Sequence, residues 1–248
     1  NRTLDWPATF KAARKVQKTA SAGLMDEVDF LRKSRADIIV CDVPPFPLEA
    51  ARMVGIPSVV VGNFTWVDIF EKEARNYPEA QELSEIWREQ YAMATLALRT
   101  HPSFEMKYFP HREPVGLIAR RGKNVRADLL KSLGRPRSQR LVLLYFGTFG
   151  DDELVIPEME GVTFLSMTAM PEPAIIITPD QWNFPDVLAS VNCVIAKPGY
   201  GTTGECMANG TPMIYHPRTE FAEYPVLRKA LQEWGGAVQI SMNQLVTG

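Results

Sequence analysis

The chain has 248 residues, of which 46% are hydrophobic and 23% charged, with 16 Gly and 19 Pro, a balance that excludes a disordered, collagen-like or disulfide-scaffold protein. A formal net charge of −2 offers no broad basic field, so nucleic acid is not an expected ligand. The three cysteines, Cys41, Cys193 and Cys206, fall in no CxxC or Cys/His spacing, so no zinc site or disulfide framework is suggested and a reducing, cytoplasmic setting is expected.

From residue 9 to 31, Phe10, Ala13, Val16, Ala20, Leu24, Val28 and Leu31 recur at spacings of three and four, which predicts one amphipathic helix. The chain opens on Asn1 with no Met, and reads as a fragment or a processed product. Residues 36–43 (ADIIVCDV) form a short β-branched run, the pattern of a strand buried on both faces of a parallel sheet. Helical character over 47–54, a Gly55-Ile56-Pro57 turn and a second β-branched run at 58–61 complete a β-α-β unit. Residues 67–98 carry charged and apolar residues at helical spacing, broken near Tyr77-Pro78, and predict two helices.

The Arg-, Lys-, Gly- and Pro-rich stretch that follows holds a short helix candidate at 125–133. It is read as the domain boundary: an acceptor-side domain over 1–122, a solvated linker over 123–138 and a second domain over 139–248. There, predicted strands at 141–146, 162–166, 174–177, 193–196 and 212–215 alternate with helices at 185–190, 203–209 and 224–233. Such alternation predicts a parallel sheet with helices on both faces, in which ligands bind beyond the carboxyl ends of the strands. The longest apolar runs fall far short of the ~20 residues of a membrane span. No transmembrane segment is expected, which leaves room for peripheral membrane association.

The stretch from Cys193 to Glu205 is the most informative. A buried strand enters a loop holding Gly199, Gly201 and Gly204, and a helix is predicted to start at Thr202 or Thr203. Glycines admit an anion close to the backbone, a helix N-terminus offers unpaired N–H groups, and threonine hydroxyls cap the helix or bond phosphate oxygens. The geometry suits a diphosphate; the bland alternative is a tight turn with no ligand. No GxxxxGK[ST] loop and no Asp-x-Asp metal motif is present. Asp42, closing its strand, is either a base for an acceptor hydroxyl or a cap for the helix after Pro44-Pro45. Trp182 and Phe184 either cover a nucleotide base or seal the core. His216 is read as a loop histidine with a local hydrogen bond.

Lys197 to Glu205, with the Ala208 to Ile214 stretch and Pro217-Arg218 behind it, resembles the nucleotide-binding core of the GT-B glycosyltransferases, nearest to the MurG-like, family 28-like branch and its KPGYGT-bearing relatives. The likeness extends to residues 141–150, similar to the first strand and glycine loop of the donor-binding domain, and to 36–66, similar to a β-α-β unit of the acceptor-binding domain. The 36–66 segment also resembles the glycosyltransferase-like half of plant arabinokinases. The resemblance implies an α/β protein of two Rossmann-like domains, the first incomplete because no strand and glycine-rich loop precede Ala36.

It also implies transfer of a sugar from a UDP-sugar to an acceptor, inverting and metal-independent, with no cofactor beyond the donor substrate. By the same resemblance Gly147, Thr148, Gly150, Gly199, Tyr200, Gly201, Thr202 and Thr203 surround the diphosphate and Trp182 the base. Glu205 takes the ribose, and Arg218 and Glu220 stand near the phosphates and donor sugar. Asp42 is the catalytic candidate. The expected partners are a nucleotide sugar and an acceptor. A sugar-nucleotide-binding module without catalysis and a sugar-nucleotide epimerase of the same fold are the alternatives.

Overall fold

A computed structural model describes residues 4–146, 155–241 and 243–244, and the chain divides into two compact units, 1–116 and 117–248. The first unit opens with α1 (Trp6–Ala22) and α2 (Leu24–Ser34). The periodic stretch is thus two helices, because Gly23 ends the first, its N–H bonding the Thr19 carbonyl, and begins the second. Then follow β1 (Ile39–Cys41), α3 (Phe46–Val54), β2 (Ser58–Gly62), α4 (Trp66–Phe70) with a 3-10 turn, α5 (Pro78–Tyr91), β3 (Leu96–Thr100) and β4 (Arg112–Val115). Gly55 closes α3 in the left-handed conformation, φ 78°, which glycine adopts without a Cβ penalty. The four strands are parallel in the order β1-β2-β3-β4. Neither β3 nor β4 was expected. Leu96 to Thr100 continues a helical-looking stretch, and β4 is a polar edge strand holding Pro114, which only an edge tolerates.

Because the crossovers all advance in one direction, right-handed connections put them on one face of the sheet. Cys41, Val60 and Ala97 accordingly pack with Phe10, Leu48, Phe70, Leu83, Trp87 and Tyr91 from the helices. The other face carries Ile38, Val40, Val59, Val61, Leu96 and Leu98; none of these is buried, Val40 is 65% exposed, and none joins a core cluster among the described residues.

The second unit holds α6 (Arg126–Ser132), β5 (Arg140–Tyr145), β6 (Val162–Ser166), β7 (Ile175–Ile176), α7 (Phe184–Leu188), β8 (Cys193–Ala196), α8 (Tyr200–Asn209), β9 (Met213–Tyr215), α9 (Tyr224–Trp234) and β10 (Ala237–Gln239). Its parallel sheet runs β10-β9-β8-β5-β6-β7. Strand order reverses beside β5, so the gap between the carboxyl ends of β5 and β8 is a topological switch point. Leu141, Leu143, Val194, Ala196 and Met213 face the core residues of α6, α7, α8 and α9, whereas Leu144 and Phe164 meet Ile156, Met170 and Ala174 from loops.

The stretch expected as a solvated linker, 123–138, belongs to this unit. Leu129 and Leu130 are buried in its core, Val125 N–H donates to Ser190 Oγ at 2.7 Å, and the Arg126 guanidinium reaches the carbonyls of Ser190 and Gln139. No described helix is long and apolar enough to cross a membrane.

Candidate functional site

The glycine turn leaves β8 at its carboxyl end, beside the switch point. Helix α8 begins at Tyr200, earlier than the sequence suggested, with Gly199 at the N-cap (φ −126°, ψ 158°) and no side-chain cap. Thr202 and Thr203 therefore lie inside the first turn of the helix instead of capping it. Gly199 has ordinary extended backbone that any residue adopts, and a Cβ on Gly199 or Gly201 would meet nothing within 4 Å. Neither glycine is required by packing or by φ. What they leave is open space at the positive end of a ten-residue helix.

Two hydroxyls on the first turn of this helix are unsatisfied. Thr203 is wholly buried and its Oγ1 has no hydrogen-bond partner among the described residues, and the same holds for the buried hydroxyl oxygen of Tyr200. An unpaired buried hydroxyl costs about 1 to 3 kcal/mol, so a partner that supplies the missing bonds recovers that cost.

The neighbouring strand β9 sends out the loop that carries the other donor-side candidates. Arg218 lies 4.2 Å over the Phe221 ring, and burial lowers its pKa from the usual arginine value while nearby Glu223 opposes the shift. Glu220 is exposed, with Thr219 Oγ1 at 3.5 Å. His216 is buried with Nδ1 2.9 Å from the Pro217 carbonyl, the local bond expected of it. Trp182 lies between β7 and α7 and packs half-buried against the core of the unit. Gly147, Thr148 and Gly150 lie outside the described residues. The structure thus brings the Gly199–Thr203 turn and Arg218 to adjacent strand ends, and the segment after Trp182 returns to the same end of the sheet, where Phe184 packs 4.6 Å from Tyr145, the last residue of β5 and the partner of Ala196 in β8.

Glu205 is the chief departure. Its carboxylate is buried, the side chain 8% exposed, and Oε1 accepts from Arg120 Nε at 2.5 Å, whereas the Arg120 side chain is 67% exposed. Arg120 carried no functional expectation, since it sits in a charge-rich run that reads as solvated surface.

An apolar cavity of about 540 Å³, walled by Val142, Leu144, Phe164, Ile195 and Ile214 with Arg140 and Asn192 at one end, lies on the loop-covered face of the sheet and does not include the glycine turn. Its composition suits packing more than phosphate chemistry.

In the first unit Asp42 is exposed just beyond β1, and α3 starts with Pro45 at its cap position and no side-chain capping bond. The capping role considered for Asp42 is therefore not the one seen. A second acid at the carboxyl edge of this sheet was missed. Asp68 Oδ2 accepts from Thr65 N–H at 2.7 Å, Tyr108 OH at 2.8 Å and Thr65 Oγ1 at 3.2 Å, and Thr65 Oγ1 also touches Tyr108 OH. Burial raises the Asp68 pKa against the lowering effect of these bonds. Tyr91 OH donates to the Val43 carbonyl beyond β1, so the network ties three strand ends together. The Thr65-x-x-Asp68 spacing is a legible capping box; Tyr108 gave no signal. Among the described residues no group of three or more His, Cys, Asp or Glu could hold a metal ion.

No family model matches the chain. Among curated proteins, L-arabinokinase of Arabidopsis thaliana is 29% identical over 235 residues, which cover 91% of this chain and 22% of that protein. The chain therefore spans about a fifth of the length of that relative. Among solved structures, Phytolacca americana UGT2 complexed with UDP-2fluoro-glucose and pterostilbene superposes with a TM-score of 0.63 at 17% identity, covering 95% of this chain and 70% of that one. The kitacinnamycin glycosyltransferase gives 0.61 at 14%, covering 98% and 73%. At such identities the likeness is one of fold, and the fold is that of the GT-B glycosyltransferases.

Proposed function

We propose that this chain is a glycosyltransferase of GT-B type that holds the diphosphate of a UDP-sugar on the Gly199–Thr203 turn and transfers the sugar to an acceptor hydroxyl or amine with inversion and without a metal ion. The observation that carries the reading is the turn itself: open space at a helix N-terminus beside the switch point, on a first turn that also holds the unsatisfied buried hydroxyls of Tyr200 and Thr203. Main-chain N–H groups and the helix dipole stabilise the diphosphate as it leaves, which is the charge a metal would otherwise neutralise. The acceptor atom attacks the anomeric carbon opposite the diphosphate, the anomeric C–O bond breaks with its electron pair going to the diphosphate oxygen, and the acceptor proton goes to a carboxylate. Asp42, exposed at the carboxyl end of β1, is the proposed base. Arg218 and Glu220 are assigned to the phosphates and the donor sugar, and half-buried Trp182 to the nucleotide base. Three free cysteines support a reducing, cytoplasmic setting.

A second reading, nucleotide-sugar binding without transfer, is favoured by one observation: the 29% identical relative is named for a kinase activity, and the match covers 22% of its length. Incubation with a panel of UDP-sugars, with and without acceptor hydroxyl compounds, separates the two. Acceptor-dependent UDP release that is lost in Asp42→Asn supports transfer. Saturable UDP binding with no release from any UDP-sugar supports the second reading, and no UDP binding refutes both.

A further inference from the structure

Glu205, the carboxylate that the donor-site reading assigns to the ribose, is already occupied. The occupant comes from residues 117–123, an extended strap laid over α8 and the start of α7. Gly122 N–H donates to Asn209 Oδ1 at 2.8 Å, Asn209 Nδ2 donates to the Arg120 carbonyl at 3.1 Å, and Lys123 N–H donates to Asp186 Oδ1 at 2.7 Å. The fit is tight: a Cβ on Gly122 would stand 1.9 Å from the Pro185 carbonyl oxygen, and one on Gly204 would stand 3.2 Å from Leu117 Cδ1. The main chain of Arg120 is thus pinned while its side chain, 67% exposed, retains room to rotate.

We infer that Arg120 is a specificity-determining latch: in the free protein its guanidinium sits on Glu205 in the place of the ribose 2′,3′-diol, and a nucleotide binds fully only when its vicinal hydroxyls displace it. This rests on the donor-site reading above. A guanidinium N–H and a ribose hydroxyl are both donors to one carboxylate oxygen, and a carboxylate only 8% exposed leaves little room for both at once. The buried partner stays fixed and the exposed partner moves: the guanidinium, already mostly in solvent, regains its hydration on leaving, and the ribose hydroxyls replace it as donors so that the buried carboxylate is never left unpaired. The latch lowers affinity for every nucleotide that needs Glu205 and leaves untouched one that does not. It therefore discriminates by the diol and not by the phosphates.

The test is calorimetric titration of UDP and 2′,3′-dideoxy-UDP into the 248-residue chain and its Arg120→Ala and Arg120→Lys variants, with thermal unfolding of each. Lysine keeps the charge but lacks the Nε donor, so it serves where alanine leaves Glu205 unpaired and the strap loosened. UDP is expected to bind roughly fivefold tighter to either folded variant, equivalent to ~1 kcal/mol, with the affinity for 2′,3′-dideoxy-UDP unchanged. Unchanged or weaker UDP binding in folded variants, or an equal gain for both ligands, overturns the latch while leaving the donor site standing. Failure of UDP to bind wild type and variants alike removes the donor site, and the latch with it.

Discussion

Replacing Gly199 with Val separates a ligand-binding turn from a structural one, because the structure fixes what the substitution does to the free protein. The backbone there is extended, open to any L-residue, and the added Cβ meets nothing within 4 Å, so neither strain nor a clash follows. The residual cost is that of a poor N-cap, about 1 kcal/mol, which lowers the melting temperature by roughly 2 to 4 °C for a protein of this size. Gly199 is half-buried and Gly201 exposed, so a side chain at Gly199 lies nearer the protein surface that the helix N-terminus presents. The isopropyl group projects into the open space at the N-terminus of α8, where the reading places the phosphates. Each main-chain bond to a phosphate oxygen is worth about 1.5 to 3 kcal/mol, so losing two weakens UDP binding by ~3 to 6 kcal/mol, roughly 100- to 10,000-fold. Calorimetry with UDP, paired with thermal unfolding, measures both numbers on one sample. A folded Gly199→Val variant that binds UDP within threefold of wild type would refute the assignment of this turn to the diphosphate.

The two faces of the first sheet give a second prediction: Val40→Lys, on the uncovered face, is expected to change stability by less than about 0.5 kcal/mol, whereas Val60→Lys, 2% exposed on the covered face of the adjacent strand, is expected to abolish cooperative folding of that unit. Comparable urea midpoints for the two variants would contradict the one-sided packing. Asp68 gives a pH dependence. Its folded pKa is raised above 3.8, so between that value and its folded pKa the folded state holds more protons than the unfolded chain, and this group's contribution to stability falls as pH rises. The stability of Asp68→Asn relative to wild type is therefore expected to improve as pH is raised from about 4, as read from denaturant midpoints at stepped pH, and a relative loss would mean that hydrogen bonds outweigh burial at this carboxylate.

What was legible in the sequence follows from how each element is stabilised. Strands inside a parallel sheet are largely apolar, so β5, β6 and β8 were legible, β8 and β6 to the residue; β1 and β2 show the same β-branched runs although one face of their sheet is uncovered and β1, read as buried on both faces, is an edge strand. Edge strands carry no such demand. β4, with Arg112, Glu113 and Pro114, and β10, with two of its three residues exposed, are strands only because a neighbour offers a ladder, and no local pattern records that. The start of α8 was misplaced for a related reason: Tyr200 and Gly201 are poor markers of a helix, and the turn closes there because packing of Cys206 and Thr203 against the sheet outweighs propensity.

The site divides along the same line. Its backbone part, glycines leading a strand into a helix, is local and therefore legible in the sequence. Its side-chain part depends on which distant segment crosses the helix, and 85 residues separate Arg120 from Glu205. A run of basic residues around Arg120 is solvated surface on statistical grounds, and nothing in its composition tells which guanidinium will find a buried acid. Handedness supplies what composition lacks. Since β8 to β9 and β9 to β10 advance in one direction, α8 and α9 must share a face, and a strap lying across α7 and α8 can reach only the side of α8 that the sheet does not cover. Glu205 is on that side, where its carboxylate accepts from Arg120. The carboxylate that the sequence marks for a ligand is therefore the one that the topology exposes to the strap.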